Sequence, residues 1–291
     1  MAIEILSNIF TFMPMSSLLE FASSCKDHRT WVLQYINRRT DTALAKFVTS
    51  PLALLDTMRI TSSVISGSLP LDLFLPEAAV TWETADMDIY TREIQHLHII
   101  LFLIHDGYTI TPPSHHTPDS DDSNPAIKDI MTMKKSNHTI DVVISKTSSS
   151  IRPIFYFHST VIMNISCDTF YVSYPQLTSQ YRGLTNPLSQ LTADDTKTAV
   201  KKYKCRGFAI VDHATIWDTG ADECHNCDLN IWCPGHQRSN RDGNCMRLRL
   251  DRPDNILPLT EHTEEEVVVW NFGGKKSRAG CYRSQPYIYF C

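Results

Sequence analysis

No apolar run in the chain approaches the roughly 20 residues needed to cross a bilayer, and the most apolar helical candidate, residues 97–104, is far shorter. Met1 opens onto an amphipathic pattern without a basic n-region or an apolar h-region. No secretory signal is therefore expected, and the expected setting is intracellular, cytoplasmic or nuclear, with no membrane partner. An excess of basic charge is missing too. The formal net charge of −5 argues against a broad nucleic-acid-binding surface, while leaving room for a local basic patch. A disulfide framework is also not indicated, because nine cysteines is an odd count in a chain with no secretory signal. Reduced thiols or metal ligands are the better reading. On the same grounds the sequons at Asn137 and Asn164 are read as accidental. What is present is a 291-residue chain, 42% hydrophobic and 20% charged. That is a globular composition with enough length for a full core and a smaller appendage.

Three carboxylates stand out against this background. Asp86-Met87-Asp88 forms a D-x-D, and Asp141 stands alone inside the apolar run 139–144. Residues i and i+2 of a strand share a face, so Asp86 and Asp88 project together while Met87 and Ile89 face a core. Asp141 alternates in the same way with Ile140, Val142 and Ile144. If the two strands are neighbours, the three acids converge. Two unit charges 4 Å apart repel by roughly 4 kcal/mol at an effective dielectric of ~20, so such a cluster calls for a shared proton or a cation. An all-oxygen set suits Mg²⁺ or Mn²⁺, the usual escorts of nucleoside triphosphates. Upstream, Val64-Ile65-Ser66-Gly67-Ser68 reads as a strand running into a helix over 69–75. Glycine at that junction lets backbone N–H groups approach a phosphate.

Together these residues resemble the nucleotidyltransferase (polymerase-β-like) fold. Its pattern is a Gly-Ser or Gly-Gly turn opening a helix, an acid pair on the next strand and a third acid on a later one. The resemblance implies that Gly67 and Ser68 hold the triphosphate. It also implies that Asp86 and Asp88 hold metal, and that Asp141 completes the metal site and helps to activate an attacking hydroxyl. The runs Ser66-Gly67-Ser68, Trp82, 86–90, 157–164 and 182–186 also resemble a large group of uncharacterised mushroom-type fungal proteins, over roughly residues 50–290. The gap from Gly67 to Asp86 is longer than the family's usual spacing, and an insertion containing Pro76 is expected to absorb it.

Three regions follow from the pattern: a helical unit over 1–50, a core over 51–215 and an extension over 216–291. In the first, Ile5, Ile9 and Phe10, then Leu18, Leu19, Phe21 and Ala22, recur at helical spacing. Pro14 separates two helices, Ser17-Leu18-Leu19-Glu20 reads as a capping box, and a third helix is expected over about 27–47. This unit resembles an F-box without its usual Leu-Pro opening, where Ala2-Ile3 stands instead. The resemblance implies docking to a Skp-type adaptor of a cullin ubiquitin ligase. The other reading is a helical subdomain packed on the core.

Farther along, the chain is expected to enter the sheet over 56–65, and a helix is predicted over 92–105, ending at Gly107. The stretch 112–123 reads as a polar surface loop. Residues 130–134 and 139–145 read as a hairpin presenting Asp141. A helix over 193–206 has acids at its start and Lys201, Lys202, Lys204 and Arg206 at its end. That order complements the helix dipole, and Lys201 or Lys202 is also a candidate to reach the triphosphate. Cys224-His225-Asn226-Cys227 is followed by Cys233-Pro234-Gly235-His236 and then Cys245. The spacing is compatible with structural zinc on Cys224, Cys227 and Cys233 plus His236 or Cys245.

The expected architecture is α+β: a mixed sheet with flanking helices, a small all-helical N-terminal unit and a Cys/His-bearing C-terminal extension. The expected function is metal-dependent transfer of a nucleotidyl group from an NTP to an unassigned hydroxyl. The alternative is an F-box-type adaptor or interaction protein whose nucleotidyltransferase-like domain does not turn over.

Overall fold

The computed structural model describes residues 2–111, 124–189, 193–212, 233, 235–250, 266–272 and 285–290. In chain order the helices are α1 (Ala2–Phe10), α2 (Met15–Ser24), α3 (Lys26–Leu44), α4 (Pro51–Thr61), α5 (Ser68–Phe74), α6 (His96–His105), α7 (Pro175–Ser179) and α8 (Ala193–Cys205). The strands are β1 (Val64–Ser66), β2 (Asp86–Arg92), β3 (Thr109–Ile110), β4 (Ile127–Lys135), β5 (His138–Ser145), β6 (Asn164–Ile165), β7 (Thr169–Val172), β8 (Arg182–Leu184), β9 (Ala209–Val211), β10 (Arg238–Ser239), β11 (Met246–Arg249), β12 (Val268–Asn271) and β13 (Tyr287–Phe290). The protein is thus α+β. No helix of the described residues is long and apolar enough to cross a membrane.

The principal sheet has the order β1-β2-β5-β4-β3. It is mixed: β2 and β5 run parallel, and the other neighbours pair antiparallel. Alternation along its central strands is strict. Met87, Ile89, Ile140 and Val142 enter one apolar cluster with α4 and α6. Tyr90 and Val143 enter a second cluster on the opposite face, with Phe155, Met163 and Trp270. The smaller sheets β11-β7-β6 and β10-β12-β13 and the parallel pair β8-β9 complete the described part. Antiparallel bridging of Ile65 to Ser166 ties β1 to the segment after β6.

The helices α1–α3 share the first cluster. Phe10, Leu18, Val32 and Leu44 are continuous with Leu54, Met87 and Ile140. Arg39 of α3 donates to Leu73 O at 3.1 Å and Leu75 O at 2.8 Å, and also to Asp72 O, and so satisfies carbonyls at the C-terminal end of α5 and just beyond it. Tyr35 Oη donates to Glu77 Oε2 at 2.9 Å.

Several local expectations are corrected. Residues 56–65 do not enter the sheet as a whole. Pro51 starts α4, Ser50 Oγ accepts from Ala53 N at 3.3 Å, and Leu54, Leu55 and Met58 are buried at helical spacing. The capping box is absent because α2 begins at Met15, straight after Pro14, which leaves Ser17 inside the helix. α3 stops at Leu44, and α6 starts at His96 because β2 runs on to Arg92. The hairpin is longer than expected, with β4 starting at Ile127 and only Ser136-Asn137 in the turn. Gly107 ends α6 with φ +96°. The expected loop over 112–123 lies outside the described residues.

Candidate active site

Sheet register brings the three acids to one face. β2 and β5 pair with Asp88 directly opposite Asp141, while Asp86 lies opposite Thr139. Antiparallel pairing of β1 sets Ser66 opposite Asp88, so the following Gly67 arrives beside the acid pair whatever the length of the intervening loop. The long gap between Gly67 and Asp86 is taken up by residues 75–85, where Pro76 precedes a single 3₁₀ turn, Glu77–Ala79. Gly67 has φ +79°, and a Cβ on it would lie 2.4 Å from Asp88 Oδ2. The turn's backbone therefore packs straight onto a carboxylate, which only glycine permits. Ser66 Oγ donates to Asn164 O at 2.6 Å and holds the turn from below. Ser68 is buried at the start of α5.

The acids differ in their surroundings. Asp141 Oδ1 accepts from Thr132 Oγ1 at 2.6 Å, a partner supplied by the facing position of β4. Asp86 Oδ2 stands 3.9 Å from Lys202 Nζ. Asp88 lies between them. Burial, reinforced by the charges of Asp86 and Asp141 and opposed by Lys202, pushes its carboxyl up to about 7. Tyr90, on the same face, is pushed well above the usual phenol range by burial first and Asp88 second.

α8 supplies Lys202, one of the two lysine candidates, and Tyr203, which the linear pattern did not single out. Lys202, itself exposed, and the buried Tyr203 stand beside the acids, and Lys201 is exposed too. The Tyr203 ring centroid is 5.5 Å from that of His158. His158 is only 4% exposed, its Nδ1 has no hydrogen-bond partner, and burial together with Lys202 presses it down to about 4, so its imidazole is neutral. The Arg206 guanidinium lies 5.0 Å over Trp82 and 5.2 Å over Tyr203. Trp82 Nε1 donates to Asp72 Oδ1 at 2.5 Å, and Thr84 donates to the other oxygen. This group anchors the 75–85 segment and α8 around the acids. His158 and Trp82 both lie in runs noted in the sequence, but only the tertiary crossing of α8 gives them a role.

Asp141 is held by Thr132 and Asp86 stands near Lys202, and among the described residues no three His, Cys, Asp or Glu are placed to hold a metal ion. The Cys/His cluster is only partly described, since Cys224 and Cys227 lie outside the described residues. Cys233 is buried, and His236 N donates to Cys233 O at 2.9 Å across a turn. The Cys245 thiol contacts Tyr171 Oη at 3.2 Å and Ser239 O at 3.3 Å, and burial pushes it up to about 11. Asn164 is fully buried, with Nδ2 donating to Val161 O at 2.7 Å. Comparison with family models, curated proteins and solved structures gives no match.

Proposed function

We propose that the chain is a metal-dependent nucleotidyltransferase that moves a nucleotidyl group from an NTP to a hydroxyl acceptor. The observation that carries this reading is the convergence of Asp86, Asp88 and Asp141 on one face, with the Gly67 turn packed against Asp88. The donor set is all oxygen, and the raised proton affinity of Asp88 is what a hard cation would relieve. Asp86, Asp88 and Asp141 would hold Mg²⁺ or Mn²⁺, which when bound neutralises phosphate charge and favours an ionised attacking hydroxyl.

In the proposed reaction the acceptor oxygen bonds to the α-phosphorus as the bond from that phosphorus to the bridging oxygen breaks. Pyrophosphate leaves with the bonding pair, and Asp141, oriented by Thr132, takes the hydroxyl proton. Backbone N–H groups of Gly67 and Ser68 orient the departing phosphates. Lys202, moving from Asp86 to the phosphates, offsets their charge. The test is release of pyrophosphate from each NTP in the presence of candidate hydroxyl acceptors. Release that disappears in Asp141→Asn supports the reading. Tight nucleotide binding with no release from any acceptor would point to a non-catalytic domain.

One observation favours a second reading, docking to a Skp-type adaptor. Ile5 and Ile9, one turn apart on α1, and Phe12 just after it are exposed by 57%, 49% and 73%. Co-purification with such an adaptor, abolished by Ile5→Glu/Ile9→Glu, tests it.

A further inference from the structure

The proposed reaction gives no task to His158. The residue is 4% exposed, and its Nδ1 has no hydrogen-bond partner. A buried polar nitrogen left unpaired carries a standing cost, which a bound group can remove.

The place of His158 in the fold is set from both sides. Phe157, the residue before it, packs edge-on against Tyr90 with ring centroids 5.9 Å apart, and Tyr90 follows Asp88 on the same face of β2. The His158 ring lies 5.5 Å from that of Tyr203 on α8. Next to Tyr203 is Lys202, whose Nζ is 3.9 Å from Asp86 Oδ2. The backbone is fixed as well. Asn186 N donates to His158 O at 2.9 Å, and Asn186 Nδ2 donates to the carbonyls of Phe155 and Phe157 at 2.8 and 2.9 Å. The imidazole is therefore held on a rigid support where α8 crosses the acid face.

The chemistry of the nitrogen narrows what it can take. Burial, aided by the charge of Lys202, keeps the ring neutral. A phosphate oxygen is better matched by Lys202 itself, which is exposed and charged. A neutral imidazole nitrogen donates or accepts according to its tautomer, and a hydroxyl can do either. On a nucleoside triphosphate with its phosphates at Gly67 and Lys202, the hydroxyls are those of the ribose.

We propose that His158 binds a ribose hydroxyl of the nucleoside triphosphate, so that the site reads the sugar of its substrate. This role rests on the nucleotidyltransferase reading and adds the sugar to it. A nucleotide without that hydroxyl leaves the nitrogen buried and unpaired, so the penalty falls on the deoxy form.

Calorimetric titration of the full chain with the four ribonucleoside triphosphates, and with the 2′-deoxy and 3′-deoxy forms of each, in Mg²⁺ and in Mn²⁺, tests the proposal. Removing one of the two hydroxyls should weaken binding by about tenfold or more in the parent. In His158→Phe, which keeps a ring against Tyr203, the same change should cost less than about twofold. His158→Asn keeps a hydrogen-bonding amide near the position of Nδ1 and should retain part of the preference. The opposite order, with the preference kept by Phe and lost in Asn, marks a merely structural ring and would overturn the role. Equal binding of all three sugars by the parent would overturn it too, while leaving the nucleotidyltransferase reading in place. Absence of binding by every ribonucleotide would overturn that reading and the role of His158 with it.

Discussion

Gly67 and Asp88 are in such close contact that a Cβ on the glycine would lie 2.4 Å from the aspartate's Oδ2. Two costs therefore meet in Gly67→Ala: a side chain at φ +79° and displacement of a carboxylate. The expected destabilisation is about 2–3 kcal/mol, read by chemical denaturation. In an Asp88→Ala background the clash disappears, and the cost should fall to about 1 kcal/mol. Equal costs in the two backgrounds would contradict the contact.

Asp88 and His158 give opposite pH signatures. The Asp88 carboxyl is raised from 3.8 to about 7, so between those values the folded state holds a proton that the unfolded state has lost, and stability falls as pH rises. His158 is lowered from 6.5 to about 4, so its contribution is lost as pH falls through that window. Between about pH 4.5 and 6.5 the slopes oppose each other, each at most ~1.4 kcal/mol per pH unit and less for the partly exposed Asp88. Relative to the parent, Asp88→Asn should gain stability as pH rises and His158→Gln should lose it. Denaturation midpoints across that range, with both differences of the same sign, would refute the assignment.

Arg39 should couple the N-terminal helices to the rest. Its guanidinium serves Asp72 O, Leu73 O and Leu75 O, so Arg39→Ala strands two α5 carbonyls and that of Leu75 just after it, and should cost about 2–4 kcal/mol. Arg39→Lys should recover little, because one ammonium cannot span the three acceptors. The unfolding curve of the parent checks the same point, with a single transition expected.

Much of this was legible in the sequence, and the exceptions have physical causes. Strict alternation around Asp86, Asp88 and Asp141 is a local property, and the strands formed as that pattern required. The closeness of Gly67 to Asp88 was not local. It comes from antiparallel register between β1 and β2, which cancels the unusual spacing. The α4 helix was missed although Ser50 and Pro51 are ordinary start signals, because the apolar residues before β1 read as a continuous approach to the strand. Ser17 and Glu20 had the spacing of a capping box, but Pro14 starts the helix earlier and places Ser17 inside it. Lys202 was a candidate from its helix, but its place beside Asp86 and that of Tyr203 against His158 come from α8 crossing the site, which no single segment encodes.

The two adjacent lysines of α8 should separate cleanly. Both are exposed, but Lys202 Nζ is 3.9 Å from Asp86 Oδ2. Lys202→Ala is expected to weaken NTP binding by about tenfold, and Lys201→Ala by less than about twofold. Equal effects would mean that bulk charge, not position, governs the contribution.

The most direct measurement is calorimetric titration of the full chain with ATP, GTP, CTP and UTP, with Mg²⁺, with Mn²⁺ and with neither, beside Asp86→Ala/Asp88→Ala. The expected result is binding of at least one NTP that requires the divalent ion and vanishes in the double variant. No binding of any NTP, or binding indifferent to the ion and to both aspartates, would contradict the nucleotidyltransferase reading.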